Sequence, residues 1–146
     1  MLLLVIFSVF NPVSSVMATD QVFTVSLKLL KPIIIVETKP LLFADTIITS
    51  GSSDFTVHTN DPHAAKFNIA GSANKNVDTM VVEEHIAIVA PKTSKPITVD
   101  GFTVRAPVAL NGQGKGTISV GGTAHVGVDS ENGDYMGAAT LRVVYQ

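Results

Sequence analysis

The side chains best able to do acid–base or metal chemistry in this chain are four histidines and twelve carboxylates; cysteine is absent. His58, Asp61 and His63 lie close together in His58-Thr59-Asn60-Asp61-Pro62-His63. Imidazole and carboxylate donors bind zinc at characteristic intervals. This spacing matches no strong ligand pattern, and Asn-Asp-Pro is turn chemistry, so the segment reads as a polar turn. Glu83-Glu84-His85 puts two carboxylates beside an imidazole. Adjacent charges on a short segment read as a solvated face, and no nucleophile stands at a defensible spacing from this trio. Gly112, Gly114 and Gly116 alternate in Asn111-Gly112-Gln113-Gly114-Lys115-Gly116. A phosphate-cradling loop needs Lys-Ser/Thr and a following helix, and neither is present, so this too reads as a turn. The expectation is a protein that is not an enzyme and carries no cofactor or metal.

Charge narrows the partners. Ten basic residues against twelve acidic ones give a net charge of -2. The basic residues are scattered, which leaves no clustered footprint for phosphate backbones, so no nucleic-acid partner is expected. Without cysteine there is no disulfide framework and no thiolate chemistry.

The elements that would carry a site are strands. Residues 2–10 form a short apolar run, too short to span a membrane. A polar stretch and Val16-Met17-Ala18 follow. Small residues before Thr19 suit signal peptidase, so residues 1–18 read as a cleaved signal peptide and the mature chain as exported, although no Lys or Arg precedes the run. Phe23, Val25, Leu27 and Leu29 then alternate with Thr24, Ser26 and Lys28, a half-buried strand pattern ended by Pro32. Ile33 to Val36 continue as an apolar run. A strand is predicted from Leu41-Leu42-Phe43 to Ile47-Ile48, and others around Phe55 and Val57, over 66–71, over 77–82 and over 86–89. Asp100-Gly101, flanked by Ile97-Thr98-Val99 and Phe102-Thr103-Val104, predicts a hairpin. The stretch 117–128 alternates on both sides of a break at Gly121-Gly122. Ala139, Leu141, Val143 and Tyr145 alternate along a last strand, after the turn at Asn132-Gly133. No segment shows capped helical periodicity. Many short strands separated by Gly, Pro, Asn and Asp indicate an all-β domain, a sandwich or a barrel, over residues 32–146.

Three segments carry a resemblance. The alternating strand Phe23 to Leu29 ahead of Pro32 looks like a donor strand. Val57-His58-Thr59-Asn60-Asp61 is similar to a polar turn after an early strand. Gly133-Asp134-Tyr135-Met136-Gly137 with the terminal strand is similar to a Gly-x-Tyr-x-Gly ending. Together they resemble bacterial pilin-like β-sandwich domains, in particular alternate (alpha-type) chaperone–usher fimbrial subunits and a related family of secreted domains of unknown function. Penultimate Tyr145, with Gly133 upstream, also resembles the C-terminal motif by which periplasmic chaperones recognise pilins. The chain departs from many such subunits in lacking a cysteine pair and in having no Gly within Val22 to Leu29.

The resemblance implies an immunoglobulin-like β-sandwich, incomplete until a donated strand completes it. It also implies a structural subunit of a surface fimbria that supports adhesion. A groove bordered by Gly133, Ala139, Leu141, Val143 and Tyr145 would leave backbone groups unpaired. A periplasmic chaperone would fill it first, with an outer-membrane usher directing assembly. A neighbouring subunit's residues 19–31 would then replace the chaperone, with Phe23, Val25, Leu27 and Leu29 as the donated face. Such head-to-tail joints do not close, so they build a fibre. Alternation alone favours Phe23 to Leu29 as the first strand of a self-complete domain, and only its place just after the cleavage site, set off by Lys31-Pro32, brings the donor role level with that reading. The alternative function is then a freestanding secreted binding module, or a tip adhesin with a host receptor.

Overall fold

The computed structural model describes residues 18–45 and 51–146. The expected signal peptide and the expected strand end at Ile47-Ile48 lie essentially outside the described residues. Eight strands follow one another among the described residues: β1 (Ile34–Lys39), β2 (Ser53–Val57), β3 (Ala65–Ala70), β4 (Val77–Val81), β5 (His85–Ile88), β6 (Ile97–Arg105), β7 (Lys115–Val126) and β8 (Leu141–Tyr145). There is no helix among the described residues. The chain is all-β and sandwich-like, as its punctuated alternation requires.

The larger sheet is antiparallel and six-stranded, in the order β1-β3-β7-β6-β5, with β2 also on β7. Its centre is the twelve-residue β7. The first half of β7 pairs with β3 (Ala65 opposite Val120) and the second half with β2 (Val57 opposite Gly122). Gly121 stands where the partner changes. A Cβ there would lie 2.2 Å from the Val57 carbonyl oxygen, so only glycine lets the corner close. The expected break at Gly121-Gly122 is thus a continuous strand whose glycines admit neighbours.

The expected hairpin at Asp100-Gly101 is a β-bulge inside one nine-residue strand. Asp100 faces Thr123 and Thr103 faces Gly121, so three steps on β6 span two on β7, and Gly101 has φ 57°. The extra residue resets the alternation. Ile97 and Val99 point inward before it, and Phe102 and Val104 after it. A hairpin would also have put both pairs on one face, so the sequence pattern fitted either geometry.

The smaller sheet pairs β4 with β8, Val77 opposite Tyr145 and Val81 opposite Leu141. Between the layers lie two apolar clusters. One centres on Ile69, Leu110, Ile118 and Val120, and Leu141, Val143 and Tyr145 of β8 pack against it. The other comprises Ile97, Val99 and Ala124, flanked by Phe43, Phe102 and Tyr135. Among the described residues Ile69, Leu110, Ile118 and Val99 are the largest fully buried side chains. Each contributes about 1.5–3 kcal/mol by leaving water.

Candidate functional site

Between the layers an apolar groove of about 1000 Å³ opens to the surface. Residues 40–45, which leave β1, form one wall, and residues 131–141, which lead into β8, form the other. Phe67, Val99, Phe102, Val120 and Ala124 face it from the larger sheet. The bulge at Gly101 is what turns Phe102 toward this space. Leu41–Phe43 is expected to be strand but makes no strand pairing; Leu42 N–H donates instead to the His63 carbonyl at 3.0 Å.

The Gly133–Gly137 segment is held against the edge of the larger sheet. Val89 and Met136 exchange N–H···O bonds of 2.9 Å. A Cβ on Gly133 would lie 2.9 Å from Ala90 Cβ, and one on Gly137 would lie 2.7 Å from Ile88 Cγ2. Tyr135 packs on the second cluster, and its hydroxyl donates to the Glu131 carbonyl at 2.9 Å. The Gly-x-Tyr-x-Gly spacing therefore has a local cause: two close approaches flank one inserted ring. Glu83 then pins the entry to β8, accepting from Thr140 N–H at 2.7 Å and from Thr140 Oγ1 at 2.8 Å. The backbone N–H of Thr140 is the main reason the Glu83 carboxyl is held below the usual carboxylate range.

On one side β8 pairs with β4, and β4 is bridged on its far side at Asn76–Ala109. Among the described residues no strand pairs with the other edge of β8. Of the residues expected to border the groove, Gly133, Ala139 and Leu141 line it. Val143 and Tyr145 continue the same inward face of β8 but pack on the first core cluster instead.

Tyr145 has a specific anchorage. Its hydroxyl accepts from Ser72 N–H at 2.6 Å and donates to the Lys31 carbonyl at 2.8 Å, while Lys31 N–H donates to Ser72 Oγ at 2.7 Å. The ring of three bonds is possible because position 71 is glycine: a Cβ there would meet the Tyr145 hydroxyl at 2.2 Å. Residues 18–30, which precede this ring, make no strand pairing and are exposed. Phe23 and Val25 are each 79% exposed, Leu27 is 85% and Leu29 83%. The first strand of the domain is β1, not the alternating segment.

The chemical candidates have structural tasks. Asp61 Oδ1 accepts from His63 N–H at 2.8 Å and lies 3.1 Å from His63 Nδ1, closing the polar turn. The backbone bond from His63 is the chief cause of its lowered carboxyl pKa. Asn111 Oδ1 accepts from Gln113 N–H and Lys115 N–H, each at 2.9 Å, and Gly114 has φ 73°. His125 carries no local motif. Pairing across strands puts its Nε2 2.7 Å from Asp100 and its Nδ1 2.7 Å from Asp54. These bonds, Asp100 first and then Asp54, hold its pKa above the ordinary imidazole value. The carboxylates lie on opposite sides of one ring and do not converge on a point a metal could occupy. Among the described residues no group of three His, Asp or Glu side chains is arranged to hold one.

A family model described as a domain of unknown function, DUF4402, matches residues 42–145. The chain belongs to that family. The match covers β2 to β8 and the groove walls apart from Pro40 and Leu41, and begins after β1. Comparison with curated proteins and with solved structures gives no match.

Proposed function

We propose that this chain is a structural subunit of a bacterial surface fimbria, exported and joined to its neighbours by strand donation. Residues 19–31 are the donated segment, with Phe23, Val25, Leu27 and Leu29 as its inserting face. The groove beside residues 131–141 and the unpaired edge of β8 are the acceptor. Before assembly a periplasmic chaperone strand holds the groove, and an outer-membrane usher exchanges it for the neighbour's segment. The reading assigns no catalysis and no cofactor.

One observation carries it: an exposed segment with alternating apolar side chains and an open apolar groove beside an unpaired strand edge occur in the same chain. Each is costly in water, and each supplies what the other lacks. Position adds support. The segment leaves the domain at Lys31, beside Ser72 and Tyr145. The groove opens past the far end of β1, six residues and roughly 20 Å away. Lys31 thus stands at the end of β1 remote from the groove.

The test is a chain lacking residues 19–30, which keeps Lys31 and its hydrogen-bond ring. Co-expressed with its export machinery, it should accept a segment from the full chain yet form no polymer alone, whereas the full chain gives ladders that resist mild denaturant. Polymer from the shortened chain alone would overturn the assignment of the donor.

A further inference from the structure

The outer face of the larger sheet carries a row of cations with no counter-charge. Lys39 on β1 is directly opposite Lys66 on β3, Lys66 is opposite Ser119 on β7, and Ser119 is opposite Arg105 on β6. Directly opposed residues share a face, and like charges so placed destabilise a sheet. None of the ion pairs among the described residues includes Lys39, Lys66 or Arg105. In a chain with net charge -2 this row is a local exception.

The Lys66 ammonium is drawn inward, donating to Ser119 Oγ at 2.9 Å and to the Thr59 carbonyl at 3.4 Å. Lys39 donates to the Pro62 carbonyl. Arg105 is exposed and keeps its planar fork of donors for a ligand. Around Lys66 and Arg105 lies a cleft of about 510 Å³ lined by Thr59, Asn60, Thr117 and Ser119 and edged by Pro107. No carboxylate lines it. A guanidinium and an ammonium together suit one oxyanion, which would also offset the repulsion along the row. The hydroxyl and amide groups around them suit a ligand rich in hydroxyls, and Pro107 offers a small apolar surface to sugar C–H groups. An extended polyanion fits less well, because only Lys66 and Arg105 of the row line the cleft and a polyanion needs cations along its length. The same face carries Asp54 and Asp100 further along the sheet, at the level of His125 and Thr123.

We propose that this cleft binds the oxyanion of an acidic saccharide, a sulfate ester or a sugar carboxylate. Arg105 and Lys66 hold the anionic group, and Asn60, Thr117 and Ser119 hydrogen-bond to neighbouring hydroxyls. The site stands apart from the groove and does not depend on the fibre reading.

The test immobilises the full chain and titrates it with sulfated lactose, sialyllactose, unmodified lactose and inorganic sulfate. At least one charged saccharide should bind saturably, with lactose and inorganic sulfate each weaker by at least about tenfold; which charged saccharide binds identifies the anion. Arg105→Gln and Lys66→Met should each weaken binding by at least about tenfold, the loss of one charge-assisted hydrogen bond. Lys92→Gln, in a distant loop, should change nothing. Arg105 is exposed, so its variant keeps the fold even if the Lys66 variant does not. The proposal is overturned if neither charged saccharide exceeds lactose, if inorganic sulfate binds as well, if Arg105→Gln binds normally, or if Lys92→Gln is as damaging as Arg105→Gln.

Discussion

Strand donation predicts a two-residue alternation in binding energy along residues 22–29. The perturbation is Leu27→Ala in a synthetic peptide of residues 19–31, offered to a chain lacking residues 19–30. The substitution removes three carbons, worth roughly 0.8 kcal/mol each when fully buried. Leu27 is 85% exposed, so nearly all of that burial is still to be gained on docking. The expected loss is about 2 kcal/mol, or about 30-fold in affinity. Ser26→Ala and Lys28→Ala lie on the other face of an extended segment and should change affinity by less than about twofold, since exposed substitutions stay within about 0.5 kcal/mol. Fluorescence anisotropy of the labelled peptide reads all three. If Ser26→Ala weakens binding as much as Leu27→Ala, or if all three peptides bind alike, no pocketed face is being inserted and the donor argument fails.

Other consequences can be measured on the domain itself. Tyr145→Phe deletes one hydrogen bond to Lys31 and leaves Ser72 N–H without its acceptor; the expected loss is about 1–3 kcal/mol in urea unfolding, with faster amide exchange at Ser72. Unchanged exchange at Ser72 would refute the ring. Gly121→Ala forces a Cβ against the Val57 carbonyl and should abolish folding, read as lost strand signal in circular dichroism. His125 has a raised pKa in the folded state, so its contribution to stability is fully present below the ordinary imidazole pKa and is lost as pH rises through the folded value. An NMR titration should show that value return to normal in an Asp54→Asn, Asp100→Asn double variant. Glu83 behaves oppositely: its lowered pKa gives stability that is present above the ordinary carboxylate pKa and lost as pH falls through the folded value. Thr140 amide protection should therefore fall in acid, and Glu83→Gln should remove that dependence.

Much of the larger sheet is legible in the sequence because its strands alternate in hydrophobicity and are punctuated by Gly, Pro or Asn. Phe55 and Val57, Phe67 and Ile69, and Ile118 and Val120 fall on inward faces as their spacing requires. What local pattern cannot supply is the partner of each residue. Asp100-Gly101 satisfies the rule for a hairpin and equally that for a bulge; only the pairing of β6 across its whole length with β7 decides between them. Gly121-Gly122 looks like a break because glycine weakens strands, yet here it marks where two neighbours meet one strand. The alternation of Phe23 to Leu29 is visible, but whether it packs at home is not, since the same period suits an internal or a donated strand. Of the candidate groove residues, terminal-strand alternation identifies the inward face of β8. It cannot divide that face into Leu141 on the groove and Tyr145 on the Lys31–Ser72 ring, because the division depends on residues 73 and 114 positions away in the chain. His125 escapes for the same reason: Asp54 and Asp100 reach it from two different strands.

The ring that joins Lys31, Ser72 and Tyr145 also sets how the domain meets mechanical load. A pull on residues 19–30 enters the fold at Lys31, where the chain is bonded to both the end of β3 and the end of β8. From there it runs lengthwise into β1 and, through the tyrosine hydroxyl, into β8. Tension applied along paired strands shears their hydrogen bonds together, rather than opening them one at a time. Replacing the hydroxyl of Tyr145 removes one of the two routes, so extraction force at a fixed pulling rate should fall together with the resting stability.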